Sequence, residues 1–326
     1  MWLFITLAVG CAQDFRKAPL PDDWRGPGWG DDTDGGPVGD TAPPDDTVPP
    51  DDTDPPEDTG DPPDTDPPPW DPQACYPGPS GAWTTCVDLV DFSSSWGSDY
   101  SYPDPYGGSA QYAEPLRFVD LSAVDPNLAL AANFVLDEVM QEHKGRYGVF
   151  QTHVIAHMQA IRTASGGSIN VNSGYRSPAY NASVGGVTHS RHMYGDAADM
   201  SPSAVSLDRL ADLCDAEGAG YIGMYSTFVH CDWRDDALDP AFYDGTRDSE
   251  PAPLPVHTAH IERDIAGALI APATGFDEGE PYRRWRAFDA DGALLRQAIG
   301  PSFSPPLGTA TVQVEVGRQV AVELRL

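Results

Sequence analysis

Residues 43 to 69 read PPDDTVPPDDTDPPEDTGDPPDTDPPP. No other stretch limits the fold of this chain as severely. Each proline removes a backbone donor and fixes φ. The aspartates repel one another and stretch the backbone further. Almost no apolar side chain is present to offset the entropy of ordering. The segment from 12 to 73 therefore reads as an extended linker, and any core must come from residues after it.

The tract also distorts the bulk charge. The chain carries a formal net charge of -31. Residues 31 to 72 contain no Lys or Arg and supply about half of that charge, so the remainder is much less extreme. An acidic chain repels nucleic acid and anionic membrane surfaces, which argues against nucleic-acid binding.

Ahead of the linker stands MWLFITLAVGCAQ. Its apolar run is too short to span a bilayer as a helix. It resembles a secretory signal ending in a lipobox, Ala8-Val9-Gly10-Cys11, over residues 1–11. That resemblance implies a lipidated Cys11, an exported bacterial lipoprotein, and membrane attachment through the lipid alone. It departs from the pattern in having no positive n-region and in placing Ala8 where leucine is commoner. The competing reading is a buried apolar N-terminal strand.

Four cysteines remain: Cys75, Cys86, Cys214 and Cys231. An even number in an exported chain suggests two disulfides, and four cysteines allow three pairings. Proximity favours Cys75–Cys86 and Cys214–Cys231. A zinc–cysteine site is the rival, but the chain has no C-x-x-C pair.

After the linker, residues 74 to about 115 are rich in Gly, Ser, Tyr and Pro and read as an irregular wrap. From about 116 to 240 the pattern is globular. DPNLALAANFVLDEVMQEH has apolar residues at helical spacing, with Asp125 as N-cap. VFQTHVIAHMQAIRTA predicts a second helix, stopped by Gly166-Gly167. SINVNS alternates as a strand, LDRLADLCDAEGAG predicts a third helix, and YIGMYSTFVHCDWR reads as one or two strands. Helices packed on a small antiparallel sheet make an α+β domain over 74–250. Beyond it, YRRWRAFDADGALLRQAIG carries a hairpin signal at DADG, and TATVQVEVGRQVAVELRL alternates around a Gly-Arg turn. Residues 251–326 read as a small all-β, sandwich-like domain, either a structural appendage or a wall-binding module.

Two histidine patterns compete for a metal. His153 and His157 in HVIAH are one helical turn apart, but Val154 stands where a metalloprotease helix needs Glu. SRHMYGDAAD places His192 seven residues before Asp199, and downstream FVHCDWR places His230 beside Asp232 and Arg234. Two imidazoles and a carboxylate make a catalytic zinc set that leaves a fourth position for water.

The stretch SGYRSPAYNASVGGVTHSRHMYGDAADM, followed by VHCD, resembles the zinc D-alanyl-D-alanine carboxypeptidase family of bacterial peptidoglycan peptidases. The family pattern is S-G-Y-R, then N, then S-x-H-x-x-G-x-A-x-D, then a strand with V-H-x-D. Ser173 to Arg176, Asn181, Ser190, His192, Gly195, Ala197, Asp199 and Val229 to Asp232 match it. The resemblance covers roughly residues 116 to 235 and implies a hedgehog/DD-peptidase-like α+β fold. It implies that His192, Asp199 and His230 hold Zn2+, which would acidify a bound water. It implies that Arg176 stabilises an oxyanion or a substrate carboxylate. Ser190, Tyr175 and Asn181 would support the site or touch substrate. Some members carry an acid three positions before the last histidine, where this chain has Thr227. Asp232 is then the candidate general base, on the same strand face as His230; alternatively it orients a ligand or pairs with Arg234.

The implied function is an exported zinc peptidase acting on peptidoglycan stem peptides, as a carboxypeptidase or an endopeptidase. The alternative is a zinc-holding, cell-wall-binding lipoprotein with weak or no catalysis, as Thr227 would allow.

Overall fold

Residues 72–106, 109–243, 257–276 and 278–326 are described by a computed structural model. The chain divides into Met1–Asp64 and Thr65–Leu326, and every described residue lies in the second unit. The Cys11 lipobox and the linker up to residue 71 lie outside the described residues, as does the expected boundary at 250/251.

The strongest helical periodicity in the sequence gives the longest helix. Helix α1 (Thr152–Ser165) buries Val154, Ile155, Met158 and Ile161 on one face. Burying each such side chain contributes roughly 1.5–3 kcal/mol. Gly166 ends the helix in the left-handed conformation, as its position after the last periodic residue predicts. Helix α2 (Leu207–Ala216) starts at Ser206, whose hydroxyl accepts the Arg209 N–H at 3.2 Å. It turns Leu210, Ala211, Leu213 and Cys214 inward.

These helices pack with a five-stranded antiparallel sheet. Its strands are β1 (Ile169–Ser173), β2 (Ala197–Pro202), β3 (Tyr221–Met224), β4 (Val229–Asp232) and β5 (Glu280–Pro281), in the order β5-β3-β4-β2-β1. The Cys214–Cys231 disulfide ties α2 to β4, and both residues are fully buried. Strand β5 belongs to the C-terminal segment yet extends this sheet, with Gly223 opposite Pro281 and Met224 opposite Glu280.

The helix expected over DPNLALAANFVLDEVMQEH does not form. The chain makes a hairpin of Ala129–Ala131 and Phe134–Val135, then one helical turn, Leu136–Val139. Asp125 does not cap a long helix. Its carboxylate accepts the Asn127 N–H at 2.9 Å in a local turn, and the Leu136 N–H then reaches back to the Leu128 carbonyl. Leu130, Phe134, Leu136 and Val139 are buried all the same, so the apolar spacing served a core without a helix.

The wrap begins one residue earlier than expected, with a hairpin of Gln73–Tyr76 and Thr85–Asp88. Cys75 stands opposite Cys86 in its register and is disulfide-bonded to it. After it, Trp96 stacks on Tyr147 at 3.6 Å between ring centres.

In the C-terminal segment, β6 (Arg283–Phe288), β7 (Leu294–Ile299), β8 (Thr311–Val316) and β9 (Val320–Arg325) form an antiparallel sheet in the order β7-β6-β8-β9. A three-stranded sheet of Glu262–Arg263, Leu269–Ile270 and Ser302–Phe303 accompanies it. Leu269 and Phe303 from the latter share one buried cluster with Trp285, Ala287, Val312, Val314 and Val316 from the former. Period-two burial along β6 and β8 is the alternation read in the sequence. Arg284 and Arg318 both pair with Asp215, at the end of α2. The all-β segment is thereby fixed to the helix–sheet layer.

Candidate metal centre

Sheet register brings the first two groups together. Asp199 on β2 and His230 on β4 are directly opposed residues, and Ser173 on β1 faces Asp199 from the other side. His192 lies on a tight turn, Arg191–Met193, just before β2. That turn needs a glycine after it. Gly195 has φ 74°, and a Cβ there would sit 2.3 Å from the Val149 carbonyl oxygen.

The turn is held from behind. Arg191 is buried and paired with buried Asp196, and it donates to the Gln111 carbonyl at 2.8 Å. Its guanidinium lies 4.7 Å from the Tyr112 ring centre and 4.9 Å from that of Tyr194. The aromatic wrap thus serves to fix the histidine-bearing turn.

The three expected ligands converge. His192 Nε2 is 3.2 Å from Asp199 Oδ1, and His230 Nδ1 is 3.0 Å from the same oxygen. Ligand atoms around one tetrahedral zinc are separated by about 3.3 Å, given bonds of about 2.0 Å. Each imidazole is also held by its other nitrogen. His192 Nδ1 hydrogen-bonds the Gly174 carbonyl at 2.6 Å, and His230 Nε2 hydrogen-bonds Asp232 Oδ2 at 3.1 Å. Fixing one ring nitrogen on a carbonyl or carboxylate is how metal-binding histidines are oriented. The donor set fits zinc.

A fourth group enters from outside the motif. His192, His230 and Glu278 offer ligand atoms that all lie within 4.8 Å of one another. Glu278 Oε2 is 3.6 Å from His230 Nδ1, and its Oε1 accepts the Ser190 hydroxyl at 2.8 Å. No motif flags Glu278, which lies 48 positions after His230 and is one more acid of an acidic chain. Thr227, by contrast, is exposed in the β3–β4 loop, and its carbonyl accepts the Ser201 hydroxyl.

The remaining site residues take distinct places. Arg176 donates from Nη2 to Asp199 Oδ2 at 2.6 Å and from Nε to Ser173 Oγ at 2.8 Å. Asp232 lies behind His230 rather than beside the converging atoms. Arg234 grips it at 2.7 and 2.5 Å, and it is fully buried. Tyr175 is buried, with its hydroxyl 3.3 Å from that of Tyr102. Asn181 donates to the Val187 carbonyl at 2.9 Å and so orders the loop that leads to Ser190. The HVIAH pair lies elsewhere: His157 spans Glu217 and Asp236, at 3.5 and 3.2 Å. Among the described residues, neither histidine of that pair joins a group able to hold a metal.

Electrostatics follow from this packing. Burial disfavours charge on Asp199, but the two imidazoles outweigh it and hold the carboxyl well below the usual range. Burial disfavours an imidazolium at His230, but Glu278, Asp199 and Asp232 push its pKa up to about 10. For Asp232, burial opposes charge and Arg234 reverses it, so the carboxylate stays ionised. Carboxylates gathered around one buried imidazole favour a cation at this point.

The ordered series Arg176, His192, Asp199, His230 falls within residues 132–232, and that span matches the Peptidase M15 family. Over 55 residues the chain is 47% identical to the zinc D-Ala-D-Ala carboxypeptidase of Streptomyces albus G. That match covers 17% of this chain and 22% of the relative, so the chain spans about a fifth of that protein's length. Glu278 lies outside the matched M15 residues.

Proposed function

We propose that this chain is a zinc-dependent peptidase that hydrolyses peptidoglycan stem peptides at an amide bond next to a D-amino acid. The observation that carries the proposal is the convergence of His192 Nε2, Asp199 Oδ1 and His230 Nδ1, with each imidazole oriented from behind. The M15 match and the similarity to a zinc D-Ala-D-Ala carboxypeptidase support the metal and the substrate class.

Zinc, when bound, polarises the scissile carbonyl. The chain's own groups do the rest. Gly174 and Asp232 hold the two imidazoles in position. Arg176, anchored on Asp199 and Ser173, keeps a fixed positive charge where an oxyanion or a terminal carboxylate would lie. A cleft of about 450 Å³, lined by Tyr112, Arg191, Tyr221, Arg234, Phe276 and Glu278 among others, lies beside the site and meets it at Glu278, while His192, Asp199, His230 and Arg176 do not line it.

Export on a lipid tether at Cys11 belongs to the same proposal. The two disulfides support an oxidising compartment. A second reading, a zinc-holding wall-binding protein without turnover, draws on Thr227, which leaves the β3–β4 loop without an acid at that position.

The test is a digest of purified stem peptides by the zinc-loaded full chain, with a chelated control, read by mass spectrometry. Loss of D-alanine, or a cut cross-link, in the zinc sample alone is expected. Zinc binding without any product would favour the second reading.

A further inference from the structure

We propose that Glu278, carried by the C-terminal segment, is the general base of this site. The inference rests on the peptidase reading above. Hydrolysis needs a group that takes a proton from the attacking water. Three carboxylates stand near His230, and two are committed. Asp199 is held by both imidazoles and by Arg176. Asp232 is fully buried behind the ring, between His230 Nε2 and Arg234. Glu278 alone of the three has one oxygen fixed by a neutral hydroxyl, Ser190, and the other turned toward His230 Nδ1, the ring nitrogen that faces Asp199.

Its placement is built into the fold. The Glu278 carbonyl accepts the Tyr221 hydroxyl at 2.7 Å. The same carbonyl packs against Gly223, where a Cβ would come within 2.2 Å of it. Two residues later the chain enters β5 and pairs with β3. Glu278 also lines the cleft, so a peptide lying there reaches it. The C-terminal segment therefore completes the site, and Ser190 acts as a positioning residue that aims the Glu278 carboxylate.

The step balances as follows. Glu278 takes one proton from water as the water oxygen bonds to the carbonyl carbon. The C–N bond then breaks, and the same proton passes to the leaving nitrogen, which restores the carboxylate and yields an acid and an amine. With His192, Asp199 and His230 as ligands, a metal-bound Glu278 would occupy the fourth position that hydrolysis requires; in the group His192, His230 and Glu278 it would instead be the third ligand, and the zinc content of the Glu278 variants separates these roles.

The experiment compares the full chain with Glu278→Gln and Glu278→Asp, measuring zinc content and steady-state cleavage of a stem peptide ending in D-Ala-D-Ala. Glu278→Gln is expected to keep a full equivalent of zinc and an unchanged KM while kcat falls about 10²- to 10⁴-fold. Glu278→Asp keeps the carboxylate on a shorter arm and should retain zinc with a smaller loss of kcat. Ser190→Ala should lower kcat without changing zinc content. Turnover unaffected by Glu278→Gln overturns the assignment. Loss of zinc in either Glu278 variant also overturns it, making Glu278 a ligand. A wild-type chain that binds zinc but cleaves nothing sinks the peptidase reading itself, and this assignment with it.

Discussion

His230 and Asp199 are directly opposed residues on neighbouring antiparallel strands, and their facing atoms, Nδ1 and Oδ1, lie 3.0 Å apart. The pairing of β2 and β4 therefore sets the spacing of these two proposed ligands through backbone hydrogen bonds. His192 is then added by a turn that needs Gly195.

This predicts that His230→Ala abolishes zinc binding and hydrolysis while the fold survives. The substitution removes one of the three proposed ligands but leaves the β2–β4 backbone pairing in place. Zinc content by elemental analysis and far-UV circular dichroism check it together. A full equivalent of zinc in the variant would show that the ligand assignment is wrong.

Asp232→Asn is expected to weaken zinc affinity about 10- to 100-fold, the usual cost of losing the group that orients a metal-binding histidine. It should also destabilise the fold, because Arg234 would keep its buried charge without a charged partner. A variant with unchanged zinc affinity and lost turnover would instead make Asp232 the base. Competition with a chelator of known affinity separates the two outcomes.

The contrast between Asp232 and Glu278 shows what the sequence could carry. Alternation along a strand places residues 230 and 232 on one face, and the His230–Asp232 hydrogen bond agrees with it. Alternation cannot tell which ring nitrogen looks forward, so a residue behind the ring reads like one in front. His192, Asp199 and His230 were legible because their motif is long and ordered. Glu278 was not, because it is one acid among 50 and reaches the site only through the β3–β5 pairing. The hairpin at 129–135 was misread for a related reason: apolar spacing reports a buried face, and both a helix and a tight hairpin can supply one.

Breaking the Cys214–Cys231 bridge should reduce stability by about 3 kcal/mol, the chain-entropy value for a loop of this size. The bridge spans 17 residues and ties α2 to the strand that carries His230. The double variant Cys214→Ala/Cys231→Ala should therefore also lose zinc affinity. Urea unfolding of zinc-free protein gives the first effect, and metal competition gives the second. Equal stability of variant and wild type would mean that packing alone holds α2 on β4.

The HVIAH pair should matter for stability and not for zinc. His157 loses hydration on burial, which lowers its pKa, but the Asp236 and Glu217 carboxylates outweigh this and raise it to about 9. An imidazole in the unfolded chain titrates near its ordinary value of about 6.5. A raised folded pKa means that the folded state binds the proton more tightly, so the stabilisation is fully present below about pH 6.5 and is lost as pH rises through about 9. Both carboxylates are about one-third exposed, so screening limits the effect to about 1 kcal/mol. His157→Gln should therefore be less stable than wild type at pH 6, and the gap should close by pH 10. Taking the difference between two proteins at each pH cancels the titration of every other group. His153→Ala serves as the companion variant, since His153 is half-buried and its partial desolvation lowers its pKa. It should keep a full equivalent of zinc. A stability gap for His157→Gln that is the same at both pH values would remove the ion pair as its cause, and zinc loss in His153→Ala would return the pair to the metal centre.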